Sequence, residues 1–340
     1  MKSKNAVLYK LNKTLKINKL DFPDPNENQV LVKLFYSGIC GSQLMEISGG
    51  RNNKKYLPHL LGHEGSGIII KVGKKVKKVK VGDRVILSWL RSKGGECLNN
   101  KIQFKNTKIS YGPITTFGEY TLVAENRVVK KPKILSDKIA AFFGCAIPTG
   151  AGMVLKETKL NQIKTKQSNK VLVFGLGGVG FSILITLLSL KIKNIYVLEK
   201  NKYKILIAKK LGIKNFLNKK NTYKYFNSFD YCFESCGKKE TIEKGFNLIK
   251  NKGKLIFSSH PHKNKKINLY PHDLIKGKKI IGSWGGGINL EKDLKLILNT
   301  LKNNLKLFNL IIDKIYKLKD INKAIQDFIK GKTIRPLIKL

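Results

Sequence analysis

The spacing of apolar residues in the first part of the chain is typical of short strands separated by turns. Val, Ile and Tyr concentrate in residues 30–36, 68–88 and 117–130, and glycines and prolines interrupt these runs. Punctuated runs of this kind predict a β-rich region. The first clear helix signal is Ser136-Asp137, which predicts an N-cap for a helix over 139–143.

From Lys170 onward the pattern changes to apolar strands that alternate with helices. The predicted strands are 171–174, 194–199, 229–234, 253–259 and 278–283, and the predicted helices between them are 179–190, 202–211 and 239–250. Repeated strand–helix units predict a parallel sheet with helices on both faces. Residues 288–340 then predict two amphipathic helices and a final strand.

One uncharged stretch, Val171–Leu190, has 20 residues and is long enough to span a bilayer. Its four glycines, however, all lie in its first half. Glycines clustered in this way predict a strand, a tight turn and a helix instead. We therefore expect no membrane segment here.

The charge of the chain is extreme, because 67 Lys and Arg residues against 22 Asp and Glu residues give a formal net charge of +45. Five of the 67 are Arg, so 62 are Lys (67 − 5), and the lysines are spread along nearly every segment. The sequence shows no compact Arg and aromatic patch of the kind that reads bases. We interpret the charge as a solvated lysine surface with weak, salt-sensitive attraction to polyanions, and expect no specific nucleic-acid partner.

At 340 residues, 42% of them hydrophobic, the chain is expected to form about two globular domains. Its five cysteines are few and odd in number, and no secretory hydrophobic segment follows the Lys-rich start. These features predict reduced thiols in a cytoplasmic protein instead of a disulfide framework.

A glycine-rich turn follows the strand predicted at 171–174. It has the pattern G-x-G-x-x-G and consists of Gly175, Leu176, Gly177, Gly178, Val179 and Gly180. Between a strand and an apolar helix this pattern predicts dinucleotide binding, because the backbone can approach the pyrophosphate and the helix N-terminus favours its charge. Glu199 lies 19 residues beyond Gly180 (199 − 180). A carboxylate there hydrogen-bonds the ribose hydroxyls and repels a 2′-phosphate, so NAD is predicted over NADP.

Three separate segments carry residue types that bind zinc: Cys40 in SGICGS, His63 followed by Glu64 in LLGHEGSG, and Cys145 in FFGCAIPTG. Each has an ordinary explanation by itself, since cysteine is common in protein cores and GHE is compatible with a turn. Together, two thiolates and one imidazole would leave the fourth position of a tetrahedral zinc open, as a catalytic site requires.

Six motifs occur in one order: SGIC-GS, GHE, VGKKVKKVKVGDRV, GC-AIPTGAG, VFGLGGVG and GKTIRPLIKL. With these motifs the chain resembles the zinc-dependent medium-chain alcohol dehydrogenase superfamily, from about residue 30 to its C-terminus. The resemblance implies an α/β protein with a β-rich GroES-like catalytic domain and a Rossmann coenzyme domain built on a doubly wound parallel sheet. The expected boundaries are 1–147 and 288–340 for the catalytic domain and 148–287 for the NAD-binding domain, with the C-terminal tail returning to the catalytic domain.

The resemblance also implies roles for single residues at the metal. Cys40, His63 and Cys145 match the ligands of one catalytic zinc. Glu64 matches a carboxylate that can approach the metal, and Ser42 matches the hydroxyl that accepts the proton of the alcohol.

For the cofactor, the resemblance implies that Thr149 lies behind the nicotinamide, Lys204 near the ribose and Arg335 at the pyrophosphate. A structural zinc is not expected, because Cys97 alone occupies the segment where relatives often carry four cysteines.

Three positions depart from the family pattern. Met45 stands where many members continue the proton relay with a His, and Gly41 stands where a cationic residue often follows the first Cys. Gln43 replaces an Asp that commonly orients the zinc-binding His, and its amide oxygen is expected to accept the same hydrogen bond while adding less charge. Proton exit must then use the ribose hydroxyls, water or another group.

The function predicted from these residues is hydride transfer. Zinc lowers the pKa of an alcohol bound to it, so that hydride can pass to the nicotinamide. We predict a zinc-dependent NAD(H)-linked oxidoreductase, a homodimer or homotetramer, that interconverts a small-molecule alcohol and an aldehyde or ketone. One alternative is a polyol or sugar-derivative dehydrogenase, favoured by the CGS tripeptide and the missing relay His. The other is a polyanion-binding protein on a degenerate dehydrogenase scaffold, favoured by the +45 charge.

Overall fold

The computed structural model describes residues 1–97, 100–218, 220–261 and 264–340. These residues form two compact units. Unit 1 contains Met1–Cys145, Asn289–Lys292 and Ile312–Leu340, and unit 2 contains Ala146–Ile288 and Asp293–Ile311.

Strands dominate unit 1, and strands alternate with helices in unit 2. The strands in the described ranges are β1 (Lys2–Leu8), β2 (Lys16–Asp21), β3 (Gln29–Gly38), β4 (His59–Leu60), β5 (Glu64–Val72), β6 (Arg84–Ser88), β7 (Asn100–Phe104), β8 (Thr107–Tyr111), β9 (Tyr120–Ala124), β10 (Val128–Lys130), β11 (Lys170–Phe174), β12 (Asn194–Leu198), β13 (Asn215–Leu217), β14 (Phe229–Glu234), β15 (Ile249–Phe257), β16 (Lys279–Gly282), β17 (Ile315–Lys317) and β18 (Leu337–Lys339). The α-helices in these ranges are α1 (Gly41–Ile47), α2 (Asp137–Phe142), α3 (Ala146–Gly152), α4 (Gly178–Ser189), α5 (Lys202–Lys210), α6 (Lys239–Leu248), α7 (Pro271–Ile275), α8 (Leu290–Leu301) and α9 (Ile321–Ile329).

Unit 1 is built on two sheets, and β3 is central in the larger one. The sheets have the orders β2-β1-β4-β8-β7 and β10-β6-β5-β3-β18-β17, with β9 also paired to β3. Val30, Val32 and Leu34 of β3 enter one apolar core, while Leu31 enters a second core on the opposite face. The prediction of a β-rich first part is confirmed.

The N-cap predicted at Ser136 is also present. Ser136 Oγ accepts the backbone N–H of Ile139 at 3.3 Å, and α2 begins at the next residue, Asp137. This helix leads directly to the turn that carries Cys145.

The C-terminal tail adds a strand to the larger sheet of unit 1. β18 pairs antiparallel with β3, with Ile338 opposite Ser37. The N–H of Ile39 donates to the carbonyl of Pro336 at 3.1 Å, so the tail runs beside the turn that carries Cys40. The return that the resemblance implied is therefore observed, and it brings Arg335 next to this turn.

Unit 2 contains a sheet with the order β13-β12-β11-β14-β15-β16, and the pairings between these described strands are all parallel. Numbered by appearance, the order is 3-2-1-4-5-6, the doubly wound Rossmann arrangement. Leu172 and Phe174 of β11 share an apolar core with Ile242 and Phe246 of α6. The predicted parallel sheet with intervening helices is confirmed.

The uncharged stretch Val171–Leu190 forms β11, a turn and α4, as predicted. None of the helices in the described ranges combines the length and the apolar character that crossing a membrane requires.

The helix predicted over 239–250 ends earlier in the structure, at Leu248, and the next strand begins at Ile249 instead of residue 253. Ile249 is fully buried and pairs with Phe229 of β14. Burial of this side chain in the sheet overrides the helical pattern of the residues around it.

The predicted catalytic domain included all of 288–340, but Asp293–Ile311 belongs to unit 2. Phe308 in this segment is buried, and the Asn304 side chain donates to Ser189 of α4 at 2.9 Å. The amphipathic pattern predicted helical structure here, yet it could not indicate which unit the apolar face would join.

Candidate metal centre and glycine-rich turn

Three turns at strand or helix boundaries carry the candidate ligands. Cys40 is the N-cap of α1 just after β3, His63 directly precedes β5, and Cys145 follows α2. Gly62 has φ 94°, and a Cβ there would lie 2.4 Å from Thr116 Oγ1, so glycine is required before His63. Because β3 pairs with β5, residues far apart in sequence meet at one end of the sheet.

The ligand atoms of Cys40, His63 and Cys145 lie within 4.8 Å of one another. Cys145 is buried and the other two are half-buried. His63 Nδ1 contacts Ser42 and Gln43, whereas its Nε2 is buried and has no hydrogen-bond partner among the described residues. A buried imidazole nitrogen without a partner, next to two sulfurs, fits a metal ion.

The two thiols are electrostatically unequal. A hydrogen bond with Cys145, aided by the charges of Arg335 and His63, holds the pKa of Cys40 well below its ordinary value despite burial. The same contact, together with burial, raises the pKa of Cys145 well above its ordinary value. The pair thus favours one thiolate and one thiol, and a metal ion would displace the proton that remains.

Glu64 and Arg335 form a buried ion pair beside this centre. Arg335 Nη2 donates to Glu64 Oε1, and the two residues are 2% (Arg335) and 0% (Glu64) exposed. Burial raises the pKa of Glu64, and Arg335 offsets part of that effect. Burial alone would lower the pKa of Arg335. The negative charges of Glu64 and of the cysteines have the larger effect, so the pKa of Arg335 lies above its ordinary value. Arg335 therefore lies against Glu64, and its contact with a pyrophosphate stays a prediction.

Two hydroxyl groups fix the backbone of the His63–Glu64 segment. Ser37 Oγ and Thr116 Oγ1 both lie 3.0 Å from the carbonyl oxygen of Glu64, and 2.7 Å from each other. Sequence reasoning missed both residues. The available signal was Ser37 near the end of β3, because a small polar residue at a buried strand position indicates a buried hydrogen bond.

The contacts of Gln43 differ from the sequence expectation. Its amide oxygen accepts the backbone N–H of Cys40 at 2.9 Å, and its amide nitrogen contacts His63 Nδ1. The expectation that the amide oxygen accepts a hydrogen bond from His63 is wrong, because that oxygen satisfies the N-cap of α1 instead. Ser42 Oγ lies 3.2 Å from the same Nδ1, and Met45 is half-buried in α1.

The glycine-rich turn connects β11 to α4 in unit 2. Gly175 has φ 78°, and Gly177 is the N-cap of α4, whose first residues are Gly178 and Val179. A Cβ on Gly180 would lie 1.9 Å from the carbonyl oxygen of Gly175, whereas a Cβ on Gly177 would meet no atom within 4 Å. The open space at Gly177 lies beside the first N–H groups of α4, which have no partner within the helix, and this arrangement suits a phosphate ligand.

Glu199 lies at the end of β12 and is hydrogen-bonded to this turn. Its carboxylate accepts the N–H of Leu176 at 2.7 Å and those of Lys200 and Asn201 at 2.8 and 2.9 Å. Lys204, half-buried in the first turn of α5, donates its backbone N–H to Asn201 Oδ1 at 3.1 Å. The carboxylate predicted to bind a ribose thus lies next to the turn predicted to bind the pyrophosphate.

Thr149 in α3 is buried, and its Oγ1 has no hydrogen-bond partner in the described part of the chain. The following residue, Gly150, packs against α4, since a Cβ there would lie 2.6 Å from Cβ of Ser182. The fold therefore holds Thr149 close to the helix that follows the glycine-rich turn, within unit 2.

Two family models match the chain. The model described as "Alcohol dehydrogenase GroES-like domain" matches residues 26–133, and the model described as "Zinc-binding dehydrogenase" matches residues 178–302. The chain belongs to the zinc-dependent medium-chain alcohol dehydrogenase superfamily. It is thus an oxidoreductase of the alcohol dehydrogenase family, and the predicted fold class, a GroES-like region with a Rossmann sheet, is confirmed.

Members of the superfamily match this dehydrogenase over nearly its whole length. S-(hydroxymethyl)glutathione dehydrogenase of Synechocystis sp. is 26% identical over 375 residues, covering 99% of this chain and 100% of the relative. Alcohol dehydrogenase 6 of Peromyscus maniculatus is 28% identical over 374 residues, covering 98% of this chain and 97% of the relative. The structure of benzyl alcohol dehydrogenase from Acinetobacter calcoaceticus matches with a TM-score of 0.87 and 24% identity, covering 100% of this chain and 99% of that chain. This structural match shows similarity of the fold.

Sequence reasoning on this dehydrogenase also missed a residue that holds the glycine-rich turn. Ser235, directly after β14, has its Oγ 2.9 Å from the carbonyl oxygens of both Phe174 and Gly175. The usable signal was a small polar residue at the carboxyl end of β14, because β14 is the parallel neighbour of β11.

Proposed function

We propose that this protein is a zinc-dependent, NAD(H)-linked oxidoreductase that interconverts an alcohol and an aldehyde or ketone. One observation carries the proposal. The ligand atoms of Cys40, His63 and Cys145 lie within 4.8 Å of one another, and His63 Nε2 has no other partner in the described ranges. Two thiolates and one imidazole are a donor set that zinc favours, and they leave its fourth position for the substrate.

Each side chain near this centre has a separate task in the proposal. Cys40, His63 and Cys145 hold zinc, which when bound supplies Lewis-acid polarisation of the substrate oxygen. Ser42, with its hydroxyl beside His63, would accept the proton of the alcohol and pass its own proton on to a ribose hydroxyl or to water. Glu64 keeps Oε2 without a partner among the described residues, and this oxygen would be available to a bound metal as a further ligand.

In this proposal the residues that bind the cofactor belong to unit 2, and the residues that bind the metal belong to unit 1. The N-terminal N–H groups of α4 receive the pyrophosphate, Glu199 binds the ribose hydroxyls, Lys204 lies beside the ribose, and Thr149 lies against the nicotinamide. NAD, when bound, accepts or supplies the hydride. Since Glu199 would repel a 2′-phosphate, NAD is favoured over NADP.

The names of the relatives support an alcohol substrate, because one is an alcohol dehydrogenase and another acts on S-(hydroxymethyl)glutathione. We propose an alcohol or its aldehyde as the substrate here. A polyol is the second candidate, favoured by Met45 at the position where a relay His is common.

A combined metal and turnover assay tests the proposal. The purified protein is expected to contain about one zinc per chain. Its kcat/KM with simple primary alcohols, polyols or S-(hydroxymethyl)glutathione is expected to be at least about tenfold higher with NAD than with NADP, about 1.4 kcal/mol. Absence of zinc would refute the metal assignment, and equal use of the two cofactors would refute the role of Glu199.

Gly177→Ala and Gly180→Ala test the cofactor turn as a pair. Gly177→Ala is expected to weaken NAD binding by at least about tenfold (about 1.4 kcal/mol) with little change in Tm, because the added methyl group enters open space. Gly180→Ala is expected to lower stability by about 1–3 kcal/mol, because the methyl group meets the carbonyl of Gly175. Calorimetric titration with NAD and thermal melts separate the two effects.

Gly112→Ala is the matched control for this pair, since a Cβ there also meets nothing within 4 Å. It is expected to change neither NAD affinity nor Tm. Wild-type affinity for NAD in Gly177→Ala would remove the turn from the cofactor site.

A further inference from the structure

The amide of Gln43 lies between two groups that compete for its single oxygen. Gln43 is fully buried. Its Oε1 accepts the N–H of Cys40 at 2.9 Å, and its Nε2 contacts His63 Nδ1. An amide has one acceptor atom and one donor group. It therefore satisfies Cys40 and presents N–H groups to His63.

The position of Gln43 in α1 commits its oxygen to Cys40. Cys40 is the N-cap of α1, and Gln43 is the third helical residue, from which a side chain can reach back to the N-cap N–H. A 180° rotation of the side-chain amide would exchange its oxygen and nitrogen, and with them the two contacts. The amide nitrogen would then face the N–H of Cys40, which places two donors together and leaves the helix N-terminus unsatisfied.

A metal ion at His63 changes what the imidazole needs. Bound through Nε2, the neutral ring carries its proton on Nδ1, and that N–H requires an acceptor. The amide nitrogen of Gln43 offers a donor to this N–H. Ser42 Oγ lies 3.2 Å from Nδ1 and can accept from it.

We propose that Ser42 is the positioning residue whose hydroxyl oxygen accepts a hydrogen bond from the Nδ1–H group of metal-bound His63. Gln43, in turn, makes this site bind zinc more weakly than a carboxylate at the same position would. The inference rests on the proposed zinc site. Ser42 then joins the metal ligand to the substrate, because its oxygen accepts from His63 with one lone pair and keeps the second for the substrate hydroxyl. Its own proton is directed away from His63.

The experiment is a double-mutant cycle on zinc affinity, measured by competition between the protein and a chromophoric zinc chelator. Gln43→Glu supplies two acceptor oxygens, one for Cys40 and one for His63, and is expected to tighten zinc binding by about tenfold or more. Ser42→Ala is expected to weaken zinc binding by about tenfold in the wild-type background and to have little effect in the Gln43→Glu background.

Two further variants keep the test decisive. Ser42→Thr retains the hydroxyl group and is expected to keep wild-type zinc affinity, so it tests the inference even if Gln43→Glu does not fold. Gln326→Glu adds the same charge at an exposed position of α9, and is expected to leave zinc affinity unchanged.

The outcomes separate this inference from the proposed function. A wild-type protein without zinc affinity refutes the zinc site itself. If the wild type binds zinc but Ser42→Ala weakens binding equally in both backgrounds, or not at all, the inference about Ser42 is refuted. In that case tighter zinc binding by the Gln43→Glu variant would reflect its added negative charge alone.

Discussion

Replacement of Cys40 with serine is expected to empty the metal centre and to lower kcat/KM by about 1,000-fold or more, equivalent to about 4 kcal/mol. The thiolate is a strong ligand for zinc, whereas a serine hydroxyl stays protonated near neutral pH. The contact with Cys145 holds the pKa of Cys40 well below its ordinary value, which favours the thiolate form that a metal ion binds. Metal analysis by mass spectrometry and initial rates of NADH formation measure the two effects.

Cys97→Ser is the matched control, because it removes a thiol that lies outside the converging ligands. Cys97 Sγ instead accepts from the side-chain amide of Asn26 at 3.0 Å. This variant is expected to keep its zinc and its turnover. A Cys40→Ser protein that retains zinc and wild-type turnover would exclude Cys40 from the centre.

The second large effect is expected in stability, at Arg335. Arg335→Ala should lower the free energy of unfolding by about 3–5 kcal/mol, because it leaves the carboxylate of Glu64 buried without its cation. Urea unfolding of the metal-free protein, prepared with a chelator, measures the change. An unaltered unfolding free energy would show that the pair contributes nothing to the folded state.

A double variant distinguishes lost pairing from lost packing. Glu64→Gln removes the charge that Arg335 neutralises, so the combined Arg335→Ala and Glu64→Gln protein is expected to be more stable than Arg335→Ala alone. If the double variant is the less stable of the two, the loss comes from packing around Arg335, including its contact with the ring of Phe142.

The effect of Arg335→Ala should also depend on pH. Burial places the pKa of Glu64 above its ordinary value, and loss of Arg335 raises it further. A carboxyl group whose pKa is higher in the folded than in the unfolded state stabilises the fold at low pH, and this contribution is lost as pH rises through the folded pKa. The destabilisation is therefore expected to be smaller at about pH 5 than at about pH 8.

Much of the fold could be predicted because its signals are local. The run FDYCFE, with three aromatic residues among six, predicts β14 with the observed bounds, Phe229–Glu234. The glycines after β11 likewise predicted the turn that leads into α4. The three candidate metal ligands are predicted from their chemical types and from the family motifs around them, and the structure brings their ligand atoms together.

What the sequence could not predict depends on contacts between distant residues. Glu64 and Arg335 are separated by 271 residues, and neither sequence segment indicates the other as its partner. The orientation of the Gln43 amide is set by the N-cap of α1. Both the backbone N–H of Cys40 and the ring of His63 could use its single oxygen, and the amino-acid type alone does not indicate which contact forms. The assignment of Asp293–Ile311 to unit 2 similarly required knowing which apolar surface was available.

The late position of β18 in the chain bears on the order in which the two units can be completed during synthesis. N-terminal domains generally fold first as a chain leaves the ribosome. Here β3 gains its neighbour β18 only once Leu337–Lys339 has been translated, while the strands β11 to β16 all lie within the continuous stretch Ala146–Ile288. A nascent chain can therefore finish the parallel sheet of unit 2 while unit 1, although begun earlier, still waits for its last strand and for the cation that neutralises Glu64.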